Sequence, residues 1–232
     1  MKLRIGTRGS KLAMWQAEHI AHLLKQGGID TEIIKIDTRG DQKLDVSIAE
    51  IGTKGVFTEE IEQQLSKGTI DIAVHSAKDM QSELPEDYEL IAFTEREKVN
   101  DILVSHNREL KLEDSTQNWV IGTSSARRKA LLKHFYPHVK TVEMRGNLQT
   151  RIAKMENGAC DAMLLAYAGV HRMGYHDMII HEFDTSHFIP AVGQGSIAVE
   201  ALSSMDTGIK HKIEQLVAHR ETTYQLQAER AF

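Results

Sequence analysis

Five times along this chain a short apolar run ends in a turn of small, hydroxyl and basic residues. The clearest case is Gly122-Thr123-Ser124-Ser125-Ala126-Arg127-Arg128. Trp119-Val120-Ile121 precedes it and Lys129-Ala130-Leu131-Leu132-Lys133 follows. The others are Gly6-Thr7-Arg8-Gly9-Ser10, His75-Ser76-Ala77-Lys78-Asp79, Arg145-Gly146-Asn147-Leu148-Gln149-Thr150-Arg151 and Ala166-Tyr167-Ala168-Gly169-Val170-His171-Arg172. Strands that feed helices through such turns are spaced for crossover connections rather than hairpins, so the pattern predicts an α/β fold with largely parallel sheets.

Periodicity supplies the remaining elements. Strands are expected at 3–5, 31–36, 70–75, 90–93, 102–104, 120–121, 141–144, 161–166 and 197–199. Helices are expected at 12–24, 57–65, 127–134 and 148–155, and from 209 to the end. Ala13, Ala17, Ile20, Ala21 and Leu24 mark the inward face of the first. Two α/β units follow, the first ending near 93–97 and the second beginning near 100. Their short, charged connections suit a hinge. The polar stretch 39–53 reads as a mobile surface loop. No internal repeat is apparent.

Composition narrows the function classes. A net charge of −5 argues against nucleic-acid binding through bulk charge, while leaving room for a local cationic site. No apolar run approaches the ~20 residues that span a membrane. The first residues read as a strand, not a signal peptide. The single cysteine, Cys160, rules out an intrachain disulfide and a multi-cysteine metal site, and a cytoplasmic location is expected. Cys160 opens a buried strand and reads as structural. The twelve histidines lack metal-ligand spacing. Pro137 separates His134 from His138, Gly174 separates His171 from His176, and His181 and His187 fall in an irregular stretch, so no metal is expected. Neither a phosphate-loop motif nor a Gly-x-Ser-x-Gly elbow is present.

The turns themselves carry chemistry. A helix N-terminus offers unpaired N–H groups and partial positive charge, where arginines are electrostatically misplaced unless an anion answers them. In open α/β sheets ligands gather at the carboxyl ends of strands. Arg8, Lys78, Arg127, Arg128, Arg145, Arg151 and Arg172 all follow strands and are expected to converge on one cleft. That charge exceeds the need of a single carboxylate and suits a polyanion or a multiply carboxylated small molecule. Asp79 is the one acid in these turns. It either stabilises a developing cation or caps a helix or pairs with Lys78 or an arginine. Lys25, Lys35, Lys43, Lys111, Lys210 and Lys212 read as solvated surface.

With Gly-Thr-Lys-Gly-Val-Phe (52–57) and Pro-Ala-Val-Gly-Gln-Gly (190–195), these motifs in this order resemble the hydroxymethylbilane synthase, or porphobilinogen deaminase, family along essentially the whole chain. The resemblance implies two domains similar to type II periplasmic binding proteins, with mixed, mostly parallel sheets, and a small third domain that this sequence lacks. Domain 1 would comprise 1–97 and 190–213 and domain 2 would comprise 98–189. Residues 214–232 would form a helix leading to the missing domain. The implied activity is a transferase of tetrapyrrole (haem) biosynthesis, which joins four porphobilinogen molecules head to tail with loss of ammonia. A dipyrromethane cofactor, held by a thioether to a cysteine of the third domain, primes the chain.

On that resemblance Asp79 is the catalytic acid. Arg8, Arg127, Arg128, Arg145, Arg151 and Arg172 bind acetate and propionate groups, supported by Ser10, Ser76, Lys78, Thr123, Ser125, Gly146 and Ala166. Lys54 lies in a loop over the cleft. The expected partners are porphobilinogen, polypyrrole intermediates and a separately supplied C-terminal domain, with no nucleic acid and no membrane, on a monomer. Two departures stand out. Met80-Gln81 replaces the family's Val-Pro, and the Gly-Gly-Cys loop that carries the cofactor is absent, with Cys160 no substitute. The alternative is a catalytically incomplete polycarboxylate- or pyrrole-binding module of the same fold. Nucleic-acid binding by the basic turns is disfavoured because no aromatic residues interleave them.

Overall fold

The computed structural model describes residues 2–42 and 57–231. The backbone separates into two compact units: residues up to Glu97 together with those from Val192 onward, and Lys98–Ala191. In the first, β1 (Lys2–Arg8), α1 (Lys11–Gln26) and β2 (Asp30–Ile36) form a βαβ unit with parallel pairing from Lys2↔Asp30 to Arg8↔Ile36. Ala17, Ile20 and Leu24, at helical spacing on α1, pack against Leu3 and Ile5 of β1. Strand β1 runs on through Gly6-Thr7-Arg8, where a turn was expected. The buried Thr7 hydroxyl lies 3.3 Å from the Ala13 carbonyl and ties this extension to α1.

At the start of the expected surface loop the chain instead makes one helical turn, α2 (Arg39–Gln42), and Arg39 pairs with Glu59 and Glu60. The rest of that loop, 43–53, and Lys54 lie outside the described residues. Next come α3 (Glu59–Ser66), β3 (Ile72–Ser76) and β4 (Tyr88–Phe93). Strand alternation sorts the two faces of the sheet. Ile72 and Val74 join the α1 side, whereas Ala73 packs with Ile61 and Leu65 of α3.

The second unit contains β5 (Asp101–Val104), β6 (Val120–Gly122), α4 (Ala126–Phe135), β7 (Lys140–Val142), α5 (Leu148–Glu156), β8 (Ala162–Ala166), α6 (Tyr167–Arg172) and β9 (Ile179–Glu182). Its five-stranded sheet has the order β7-β6-β8-β5-β9. Ile102, Val104, Met163 and Leu165 pack with Leu148 and Ile152 of α5, while Leu103, Ala162 and Leu164 face Leu132 of α4. Two stretches correct the sequence reading. His181 lies on β9, paired with Leu103, not in irregular chain. The residues after β8 form the helix α6 rather than an open turn.

The chain then returns to the first unit as β10 (Ile197–Leu202), α7 (Thr207–Val217) and α8 (Arg220–Ala231). Strand β10 inserts between β3 and β4, giving the order β2-β1-β3-β10-β4. It is antiparallel to both neighbours, so the other four strands run one way. In the second unit β5 is likewise the one reversed strand, between β8 and β9. The sheets are therefore mixed and mostly parallel, as expected, and both use one strand order that no sequence repeat betrays.

The single helix expected from 209 onward is two helices, broken at Ala218–His219, where His219 N–H donates to the Phe93 carbonyl at 2.8 Å. The described residues from 214 onward, expected as a helix leading to a further domain, belong to the first unit: Val217 packs into its main core, and Leu226 is buried against Ala77, Phe93 and Ala198.

Candidate active site

Each sheet gathers the predicted residues at the carboxyl ends of its parallel strands. In the first unit β1 and β3 are adjacent and parallel, with Ile5↔Ile72 and Gly6↔Ala73. Arg8 and the segment after Ser76 therefore share an edge. The Arg8 guanidinium lies over the Phe57 ring, 4.1 Å from its centroid, a cation–π contact that helps fix its direction. Ser10 is the N-cap of α1, and its Oγ accepts from Ala13 N–H at 3.2 Å. The hydroxyl proton remains available to a ligand. Ser76 Oγ meets the amide of the buried Gln16, whose Nε2 donates at 2.9 Å.

Ala77–Asp79 form one 3-10 turn, and Lys78 and Asp79 are both exposed. Asp79 lies at the end of that turn and caps nothing. Among the described residues its carboxylate has no hydrogen bond and no ion pair.

In the second unit β6 lies between parallel β7 and β8, so the turns after all three open on one edge. Thr123 is buried and Ser125 caps α4. Ser124 Oγ accepts from Met144 N–H at 3.0 Å, tying the first turn to the segment leading to Arg145. Gly146 has φ +114, the left-handed region, and a Cβ there would lie 2.9 Å from Thr150. Asn147 then caps α5 through Thr150 N–H at 2.9 Å, which leaves Arg145 just ahead of the helix start and Arg151 on it. Arg145 Nη1 is buried without a hydrogen-bond partner. A buried guanidinium donor with nothing to bind is costly, and a carboxylate ligand satisfies it. Ala166 ends β8, buried, and Arg172 ends α6.

Arg127 and Arg128 share a buried acid from β5. Because β5 is reversed, its first residue, Asp101, lies at the carboxyl end of β8, opposite Ala166. Asp101 is fully buried. Arg128 donates to its Oδ1 from Nε at 3.1 Å and Nη2 at 2.7 Å, and gives Nη1 to the Leu164 carbonyl at 3.0 Å. All three of its nitrogens have partners inside the fold, so it holds the edge together. Arg127 gives one nitrogen to Asp101 Oδ2 and to the Ile189 carbonyl, both at 2.6 Å. It remains partly exposed, with further donors to offer. The sequence offered one signal for Asp101: an acid opening the apolar run Ile102-Leu103-Val104.

Further buried acids escaped sequence reasoning because their partners are distant in the chain. His75 of β3 and Glu200 of β10 are both buried, with Nε2 and Oε2 3.0 Å apart. Nearby Glu62 is pushed above the usual carboxylate range, first by burial and further by the charge of Glu200. Cys160 is buried, and that burial raises its thiol to about 11, which removes thiolate character at neutral pH.

Comparison with known proteins decides the family. Residues 3–210 match the family model described as porphobilinogen deaminase, dipyromethane cofactor binding domain. The porphobilinogen deaminase of Desulfosudis oleivorans is 58% identical over 232 residues, covering 100% of this chain and 75% of that protein. That of Cytophaga hutchinsonii is 56% identical over 230 residues, covering 99% and 73%. The chain belongs to the porphobilinogen deaminase family.

The fold agrees with solved structures. The VFT2 domain of Bordetella pertussis BvgS superposes with a TM-score of 0.56 at 15% identity, covering 99% of this chain and 92% of that one. A periplasmic His/Glu/Gln/Arg/opine family-binding protein from Silicibacter pomeroyi gives 0.53 at 15% identity, covering 98% and 94%. The chain thus has the type II periplasmic binding protein fold. The residues present fit the family's dipyrromethane: the second edge offers several guanidinium groups, among them Arg145 with its orphaned buried donor. Cys160, buried and protonated, does not fit as its attachment point. Among the described residues no helix is long and apolar enough to cross a membrane.

Proposed function

We propose that this chain condenses four porphobilinogen molecules head to tail into a linear tetrapyrrole with release of ammonia, with Asp79 carrying the chemistry and the strand-end arginines carrying the binding. Membership of the family supports the activity. The residue assignment rests on one observation above all: Asp79 is an exposed carboxylate on a basic strand edge, committed to no cap or ion pair among the described residues.

Loss of ammonia from the substrate's aminomethyl group leaves an azafulvenium cation. A carboxylic acid held beside that carbon delivers its proton to the leaving nitrogen, and the carboxylate this leaves stabilises the positive charge that develops. Each pyrrole carries two carboxylates, so a growing chain demands several guanidinium partners. Arg8, Arg127, Arg145, Arg151 and Arg172 take that role. Lys78, Ser10, Ser76, Thr123, Ser125, Gly146 and Ala166 shape the two edges, and Arg128 braces Arg127 through Asp101. When bound, dipyrromethane supplies the pyrrole carbon to which the first substrate is joined, and Arg145, Arg151 and Arg172 would hold its carboxylates. A cytoplasmic location belongs to the same reading and is supported by the single unpaired cysteine.

Ammonia release from porphobilinogen, measured for the parent chain and for Asp79→Ala, tests the assignment. The variant is expected to lose about 10²–10⁴-fold in kcat while still binding substrate. Parent-level turnover by Asp79→Ala would remove Asp79 from the chemistry.

A further inference from the structure

The last helix reaches the turn that carries Asp79 from both sides. Leu226, Glu229 and Arg230 are three and four residues apart and so share one face of α8. Leu226 is buried against Ala77 and Met80, which precede and follow Asp79. Arg230 Nη2 donates to the carbonyls of Gln81 at 2.6 Å and Ser82 at 3.0 Å. Glu229 Oε2 accepts from Gly193 N–H at 2.9 Å, and Arg96 binds both Glu229 oxygens at 2.5 and 3.0 Å. Gly193 lies directly on the turn. It has φ +72, and a Cβ there would stand 2.9 Å from the Ala77 carbonyl carbon and 3.0 Å from Lys78 N.

We propose that Glu229 and Arg230 are positioning residues for Asp79, clamping the backbone before it through Gly193 and after it through the Gln81 and Ser82 carbonyls. The proposal rests on the catalytic role given to Asp79 above. Arg230 is partly buried, and desolvation draws its pKa below the usual arginine value. Among the described residues no carboxylate pairs with it. A charge desolvated to hold two carbonyls contributes little to net stability, but fixes those carbonyls firmly. The turn also needs an external restraint here. Its Met80-Gln81 lacks the fixed φ of a proline, and the Gln81 amide reaches Thr58 and Glu62 only at 3.3 and 3.4 Å.

The test compares Arg230→Ala, Arg230→Lys and Asp79→Ala in the full chain, with Val217→Ala as a variant that loosens the same unit away from the turn. Arg230→Ala is expected to lower kcat for ammonia release about tenfold through misplacement of the carboxylate. KM should move less than about twofold. Arg230→Lys, which keeps a donor, should recover most of the loss. Amide hydrogen exchange over residues 77–82 should quicken in Arg230→Ala and not in Val217→Ala. Parent kcat, unchanged exchange over 77–82, or an equal kcat loss in Val217→Ala each overturns the proposal. Full activity in Asp79→Ala would instead sink the assignment of Asp79, while the exchange data still report whether Arg230 holds the turn.

Discussion

Asp101 and Arg128 form a buried ion pair in which Nε and Nη2 of the guanidinium converge on one carboxylate oxygen, at 3.1 and 2.7 Å. The pair joins the reversed strand β5 to the start of α4, and Arg127 shares the same carboxylate. An anion of the chain's own thus occupies the helix start that looked in sequence like a ligand clamp.

Removing that anion strands two guanidinium groups, one of them largely buried. Asp101→Ala is expected to lose about 3–5 kcal/mol of stability, the usual cost of breaking a buried pair from one side. Urea unfolding measures it, and a loss under about 1 kcal/mol would show that Asp101 does not organise the edge.

Arg145 and Arg128 should behave in opposite ways. Arg145 Nη1 already lacks a partner, so Arg145→Ala should stay within about 1 kcal/mol of the parent in stability. Its KM for porphobilinogen should rise about tenfold, the equivalent of one lost charge-assisted contact. Arg128→Ala should unfold far more readily. Steady-state kinetics beside thermal melts separate the two; equal melting losses would contradict the assignment.

Acid should weaken the first unit through Asp71. Arg4 binds both its oxygens, at 2.6 and 3.0 Å, and this hydrogen bonding lowers its pKa from 3.8. A carboxylate lowered on folding contributes its stability fully above the unfolded pKa and loses it as pH falls through the folded value. Stability should therefore decline below about pH 4, and Asp71→Asn should flatten that decline. Urea midpoints at pH 5, 4 and 3 give the comparison; identical slopes for variant and parent would refute it.

Cys160 should resist alkylation in the folded chain. With its thiol raised to about 11, only about one molecule in a thousand is thiolate at pH 8, and the sulfur is buried. Iodoacetamide followed by mass spectrometry should label it only in denaturant. Prompt labelling of native protein would mean that the strand opens.

The sequence revealed what short-range pattern encodes. Helix α1 was visible from Leu12 to Leu24, close to its observed span of Lys11–Gln26. The strand-end location of Arg8, Arg145 and Asp79 followed from the same local logic. What stayed hidden depended on strand direction and on contacts between distant residues. Nothing near Arg128 announces Asp101, twenty-seven residues earlier, because only a reversed β5 brings them together. The link from Arg230 to Gln81 spans 149 residues. Strand β9 was missed because its histidine and glutamate mask a four-residue strand.

The insertion of β10 between β3 and β4 has a consequence for synthesis. Residues 98–191 are contiguous and can condense as soon as they are made. The first sheet cannot: its β4 has no sheet neighbour until a strand more than a hundred residues later arrives. Until then β3 and β4 present unsatisfied edges, the state in which strands pair wrongly. The interval between translation of Phe93 and Ile197 is therefore the vulnerable window of this chain, and holdase chaperones should engage nascent chains stalled within it more than chains released beyond Leu202.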